Sequence, residues 1–296
     1  MDLDAYLKDC RARVDKALDS YLPAEEMLPA KLHKAMRYSI FAAGKRIRPI
    51  LMMAACEAVG GAPDAVMPAA CAMEMIHTYS LIHDDLPAMD DDDFRRGRPT
   101  CHKVFGEALA ILAGDALLTE AFILLSRMGE DGRIALDTGR RVNSLIARCA
   151  GSMGMVGGQV VDMESEGKEI DLATLEYIHT RKTGALILAS VQSGALVGGA
   201  SELQVEALGR YAKAAGLAFQ VADDILDIVG DQALLGKDVG SDQQRGKATY
   251  PALLGLEAAR TRARELRDLA LESLSGFDEK AEPLRRFAHY IVDRSF

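Results

Sequence analysis

The chain of 296 residues has no tryptophan, and aromatic side chains make up only 5% of it. Basic residues are in deficit, with 35 Lys and Arg against 44 Asp and Glu and a formal net charge of −9. A general nucleic-acid binder needs a basic stripe, so that class is set aside. Cysteine is scarce and scattered. Cys10, Cys56, Cys71, Cys101 and Cys149 contain no CxxC pair for zinc or dithiol chemistry and read as free thiols of a reducing cytoplasm. The first ten residues, MDLDAYLKDC, lack the basic-then-apolar layout of a leader; no lipidation motif is found either, so the expectation is a cytoplasmic chain. Long apolar runs are also missing. The longest uncharged stretch, Thr183 to Ser201, includes Ser190, Gln192, Ser193 and several glycines. It is expected to be a buried core helix, without stable membrane insertion.

Valine-rich alternating runs bounded by turns are absent, which leaves little room for a sheet. What is present is helix-forming: Ala, Leu, Met, Glu, Lys and Arg, with apolar residues recurring at steps of three and four. The pattern predicts helices near 2–20, 29–43, 46–59, 64–84, 104–128, 133–150, 171–198, 203–229, 250–274 and 279–293. No linker, low-complexity segment or fixed-period repeat is evident, so one all-α domain spanning 1–296 is expected. Gly230 to Thr249 breaks the helical pattern. Its Lys237, Arg245 and Lys247 suggest a flap that closes on an anion, the alternative being a surface loop.

Acidic residues are concentrated. Asp84 to Asp93 reads DDLPAMDDDD, six carboxylates in ten residues, directly after the apolar TYSLIH. Charge runs are usually solvated faces. Here the repulsion follows a buried helix, and a divalent cation would relieve it; oxygen-only donors of this kind suit Mg²⁺. Asp84 and Asp90 diverge on an ideal helix, but Pro87 lies between them. A break at 87–88 would bring Asp90 back beside Asp84. The second cluster, Asp223-Asp224-Ile225-Leu226-Asp227, places Asp223 and Asp227 one turn apart between apolar flanks. Carboxylates in such a place need a cation; a helix-end turn paired to lysines is the alternative.

Two aspartate-rich helix ends imply Mg²⁺ ions bridging to a polyphosphate, which in turn needs basic partners. Candidates sit beside Gly or Pro: GKRIRP at 44–49, RRGRP at 95–99 and Lys182. Arg95 and Arg96, being adjacent, point apart in regular structure and could serve two diphosphates.

Taken together, DDLPAMDDDDFRRGRPTCH at 84–102, DDILD at 223–227 and GKRIRP at 44–49 resemble the trans-isoprenyl diphosphate synthase family, its bacterial farnesyl diphosphate synthases in particular. The likeness extends through GGQVVDM at 157–163, RKTGALI at 181–187, LGKD at 235–238 and GKATYPALLG at 246–255. It implies a helical bundle around a central active-site cavity and condensation of isopentenyl diphosphate with dimethylallyl or geranyl diphosphate. It implies Asp84 and Asp90, with Asp85, as ligands of two Mg²⁺ ions, and Asp223, with Asp224 and Asp227, as ligands of a third; Mn²⁺ could substitute. Arg95, Lys182 and Lys237 match the allylic diphosphate site, with Lys247 as a second flap lysine. Lys45, Arg48, His77 and Arg96 match the isopentenyl diphosphate site. Thr183 and Gln220 match groups lining the path of the allylic cation. A homodimer is the family expectation.

His83 beside Asp84 spells the HD of metal phosphohydrolases, but six histidines in the chain offer no matching set, so a core role is preferred. Tyr79 lies five residues before Asp84 and the small Ser80 four before. In the family, an aromatic at the fifth position goes with a C15 product and a small residue there with C20 or longer. Farnesyl diphosphate is therefore favoured over the geranylgeranyl or geranyl product. A terpene cyclase would lack the GKRIRP-type site, and a non-catalytic subunit would have lost an aspartate cluster.

Overall fold

The computed structural model describes residues 1–229 and 248–293. In chain order the helices are α1 (Leu3–Tyr21), α2 (Ala30–Ile40), α3 (Ile47–Ala58), α4 (Met67–Asp84), α5 (Cys101–Phe105), α6 (Glu107–Ser126), α7 (Leu136–Ala150), α8 (Met155–Ser165), α9 (Leu172–Ile178), α10 (Ala185–Val197), α11 (Glu202–Val229), α12 (Tyr250–Leu254), α13 (Leu256–Ser273) and α14 (Glu282–Asp293). The all-α expectation holds, with almost no sheet among the described residues.

Two apolar cores share α3 and α10. Met52, Met53 and Cys56 of α3 and Leu186 and Ala189 of α10 enter the core around α4 and α6. Leu51, Ala54 and Ala55 of α3 and Ile187, Val191 and Ala195 of α10 enter the core around α11 and α13. Both helices are thus buried on opposite faces, which explains their near-continuous apolar sequences. Gly194 makes the approach possible, since a Cβ there would lie 2.0 Å from the Met52 carbonyl oxygen. The uncharged stretch is the core helix expected of it.

Three local features escape the helical pattern. Phe94–Arg95 and Arg98–Pro99 form a short antiparallel hairpin, β1 and β2, whose Arg96 and Gly97 take positive φ of 53° and 74°, as a two-residue hairpin turn requires. His179–Gly184 winds as a π-helical turn between α9 and α10, a device common at functional sites. Helix α8 lies where the apolar pattern predicts none. Its Gly158 packs on that π turn so closely that a Cβ would meet the Lys182 backbone nitrogen at 2.2 Å.

The chain also repeats a plan that its sequence hides. After α4 and its aspartates, Thr100 leads into five-residue α5, then Gly106, then α6. After α11 and its aspartates, Thr249 leads into five-residue α12, then Gly255, then α13. Gly106 has φ 85°, ψ 155° and Gly255 has φ 84°, ψ 154°, a conformation nearly closed to other residues. Each glycine divides what the apolar pattern presents as one helix.

Candidate functional site

The carboxyl end of α4 stops at Asp84, and the chain folds back on itself. The Asp90 amide donates to the Asp84 carbonyl at 2.8 Å, so Asp90 does return to Asp84 as the intervening Pro87 suggested. Burial first, then the neighbouring Asp90 and Asp85, push the Asp84 carboxyl up to about 6, against the pull of Lys182 and Arg95. Burial works against the Lys182 ammonium, yet Asp162, Asp84 and Asp90 hold its pKa above the ordinary value. Lys182 donates to Asp162 Oδ2 at 2.6 Å. One turn of π helix beyond His179 thus presents a lysine to the first aspartate cluster, and the next residue, Thr183, donates its hydroxyl to Gln220 Oε1 at 2.6 Å.

Asp85 and Asp224, the second member of each Asp pair, are buried at 3% and 7% exposure and engage protein partners. Arg95 donates through Nε and Nη2 to Asp85 Oδ1, both at 2.6 Å, and also reaches Asp92 at 3.5 Å. Asp224 Oδ2 accepts from His179 Nε2 at 3.2 Å and from the Tyr250 amide at 2.9 Å. Asp223 and Asp227 are half-buried on α11. Their separation of four residues keeps them on one side of the helix.

A second group gathers beside α4. Burial pushes the His77 imidazole well below its ordinary value, and the guanidinium charges of Arg48, Arg96, Arg95 and Arg46 push it further. His77 is therefore a neutral ring amid cations. Burial, and then Arg96, lowers the Arg48 guanidinium to about 10, although Glu74 counters them. Arg48 Nε is buried and has no hydrogen-bond partner among the described residues. Arg96 lies across Gly44, where a Cβ would stand 2.5 Å from its Nη1. Arg95 and Arg96 do diverge, one to the aspartates and one to this cationic group. Lys45 is exposed at the start of the same loop.

Arg46 belongs to the sequence motif but not to the open site. It has a left-handed backbone with φ 52°, is 4% exposed, and bonds Asp15 at 2.8 Å, Glu74 at 2.7 Å and the Ile40 carbonyl at 2.6 Å. It is a strut that ties the loop carrying Lys45 and Arg48 to α1 and α4. Glu74, a lone acid in the apolar MPAACAMEMIH, is the readable signal for it. Asp162, the partner of Lys182, is a site residue given no role from the sequence, although it lies with Gln159 inside the GGQVVDM segment. They lie three apart on α8, and the Gln159 Oε1 atom is buried without a partner among the described residues. Tyr79 is 7% exposed and meets His83 edge-on at 5.7 Å. His83 Nε2 is 3.1 Å from the Ile111 carbonyl and fills the space that a side chain at Gly114 would need. His83 is thus a packing residue. Ser80 donates to the His77 carbonyl at 2.9 Å. Lys237, Arg245 and Lys247 lie outside the described residues.

Among the described residues, no three carboxylates, imidazoles or thiols converge closely enough to enclose an ion unaided. The donor set still fits Mg²⁺, which keeps waters and shares its coordination with phosphate. The raised Asp84 carboxyl, crowded by Asp90, is the site of unbalanced charge that such an ion would relieve.

The comparisons agree with this geometry. A profile of the polyprenyl synthetase family matches residues 29–284. Farnesyl diphosphate synthase of Geobacillus stearothermophilus is 54% identical over 260 residues, covering 88% of this chain and 87% of its own. The heterodimeric geranylgeranyl pyrophosphate synthase large subunit 1 of Arabidopsis thaliana is 51% identical, covering 99% of this chain and 80% of its own. The crystal structure of an FPP/GFPP synthase from Zymomonas mobilis superposes with a TM-score of 0.86 at 38% identity, covering 98% of both chains.

Proposed function

The chain belongs to the polyprenyl synthetase family and is a trans-prenyltransferase of isoprenoid biosynthesis, and we propose that its product is (2E,6E)-farnesyl diphosphate, made from isopentenyl diphosphate and dimethylallyl or geranyl diphosphate. The observation that carries the C15 length is the buried Tyr79 five residues before Asp84, braced from the side by His83. Relatives named for C20 products share much of the sequence, so a C20 product is the second reading, with the small Ser80 as its supporting feature.

Mg²⁺ held by Asp84 and Asp90, and by Asp223 with Asp227, would stabilise the diphosphate as its charge grows. In this reading Arg95 and Lys182 hold the allylic diphosphate. The allylic C–O bond breaks, and its electron pair leaves with the diphosphate. Thr183 and Gln220 present oxygen dipoles rather than a nucleophile to the cation, and their mutual hydrogen bond fixes both. Arg48, Arg96, Lys45 and neutral His77 hold the isopentenyl diphosphate, His77 as an N–H donor. Its double bond attacks the cation, a C–C bond forms, and the released proton passes to the departed diphosphate.

A homodimer completes the proposal. Helix α6 is long and apolar enough to cross a membrane by length and composition alone, with a third of it buried. Its exposed Ile111, Leu112 and Ile123 give a second copy an apolar face to cover. A cytoplasmic site of action fits the free thiols. Incubating the protein with Mg²⁺, isopentenyl diphosphate and geranyl diphosphate, then sizing the prenyl chain, tests the function. A C15 product is expected; a C20 product would replace the length assignment, and no condensation with any allylic primer would reject the reading.

A further inference from the structure

Asp224 lies about 100° around α11 from Asp223, at 3.6 residues per turn. It is buried where an unpaired carboxylate would be costly, and it is satisfied from two directions. The donors are His179 Nε2 at 3.2 Å and the Tyr250 amide at 2.9 Å, both to Oδ2. The two donors also support each other, since the His179 and Tyr250 rings stack with centroids 5.8 Å apart and planes 10° from parallel. Tyr250 is fully buried, and its hydroxyl donates to Glu176 Oε1 at 2.7 Å. Arg262 reaches the same Glu176 oxygen at 3.4 Å. Burial, then the Glu176 hydrogen bond, push the Tyr250 phenol far above its ordinary value, so it is a neutral donor. One continuous set of contacts therefore joins α9, the π turn, α11, α12 and α13.

The position of His179 gives this set its meaning. It is the first residue of the π turn whose later residues are Lys182 and Thr183. A bond from His179 to Asp224 therefore registers α11 against the turn that carries Lys182. We infer, on the prenyltransferase reading above, that His179 and Tyr250 are positioning residues. By clamping Asp224 they set the rotation of α11, and with it the direction of Asp223 and Asp227 relative to Lys182 and Thr183. A rotation of ~10° at a helix radius of ~5–6 Å moves a carboxylate by ~1 Å. A preorganised site tolerates about 0.5 Å.

The test compares His179→Leu, His179→Gln, Tyr250→Phe, Asp224→Asn and Asp223→Asn with the unaltered full chain. Mg²⁺ is titrated by calorimetry in the presence of inorganic diphosphate, and steady-state constants are measured beside it. His179→Leu is expected to weaken the Mg²⁺–diphosphate interaction about tenfold, as loss of a group supporting a metal ligand does. KM for geranyl diphosphate should rise with it while KM for isopentenyl diphosphate stays within about twofold. His179→Gln, which can still donate to Asp224, should recover most of the loss. Tyr250→Phe, which loses only the Glu176 bond, should cost about threefold. Asp224→Asn keeps an oxygen that accepts both bonds and should fall well short of the damage caused by Asp223→Asn. Equal loss in the Gln and Leu variants, no loss in either, or a parallel rise in both KM values would overturn the positioning role. So would an Asp224→Asn defect in Mg²⁺ binding as large as that of Asp223→Asn, which would make Asp224 a ligand itself. If the His179→Leu variant does not fold, the Gln and Phe variants and the two Asn variants decide. The calorimetric result stands even if the unaltered protein condenses no primer, an outcome that would reject the catalytic reading alone.

Discussion

The α4 half and the α11 half of the molecule follow one backbone plan and hold their buried aspartates by different chemistry. Each runs from a long helix through an aspartate pair to a threonine, a five-residue helix, a glycine near φ +85° and a second long helix. In the α4 half, Asp85 is neutralised by the guanidinium of Arg95, and the carboxyl beside it, that of Asp84, is raised. In the α11 half, Asp224 is held by an imidazole and a backbone amide. The difference teaches that the first clasp uses a charge which, on the proposed function, also serves the diphosphate, whereas the second uses groups drawn from the packing of α9 and α12. The first can therefore be read in a local string, DDLPAMDDDDFRR, and the second cannot.

The largest effect should come from the first aspartate of each pair. Asp84→Asn and Asp223→Asn should each lower kcat by on the order of 10³-fold, the scale of losing a preorganised charge-stabilising group. Single-turnover rates with geranyl diphosphate check this; a near-normal Asp223→Asn rate would break the symmetry between the halves. Next, Arg95→Met leaves Asp85 buried without its cation and should cost about 3 kcal/mol in urea unfolding. A cost below about 1 kcal/mol would place that pair with ordinary surface pairs. Gly106→Ala and Gly255→Ala should destabilise by similar amounts, about 1–3 kcal/mol each, because both strain the backbone and none of the described residues lies within 4 Å of either Cβ position. Unequal thermal shifts would show that the shared plan is geometric and not energetic.

The halves also differ five residues before their first aspartate, where α4 has Tyr79 and α11 has Ala218. Tyr79→Ala should raise the C20 to C15 product ratio about tenfold, a difference of roughly 1.4 kcal/mol between competing steps. Unchanged C15 output would remove Tyr79 as the length-setting residue. The smallest effect concerns pH. The Asp84 carboxyl, raised to about 6 in the folded protein from an ordinary 3.8, favours folding below the lower value. That contribution is lost as pH rises through the higher value. Metal-free protein should therefore lose about 3–4 °C of Tm between these two values from this group, and Asp84→Asn should flatten that part of the profile.

Most helices were legible because their apolar periodicity is strong, and the return of Asp90 was legible from Pro87. Helix α8 was not, because Gly157 and Gly158 weaken its propensity and its stability comes from packing on the π turn. The breaks at Gly106 and Gly255 were hidden because apolar residues continue across them. Of the site, the aspartates and arginines announce themselves by clustering. Asp162 pairs with Lys182 across 20 residues and Glu74 with Arg46 across 28, separations that no local pattern reveals. The direction of Asp85 and Asp224, inward to partners, likewise depends on residues brought together only by folding.

An acidic chain of net charge −9 that takes anionic substrates needs its aspartates to act through a cation. Nine of its 44 acidic residues lie in the two aspartate clusters. The most direct measurement is calorimetric binding of geranyl diphosphate, first with Mg²⁺ and then with excess chelator. Tight binding with the metal and little without it is the predicted result; equal affinity in chelator would contradict the account.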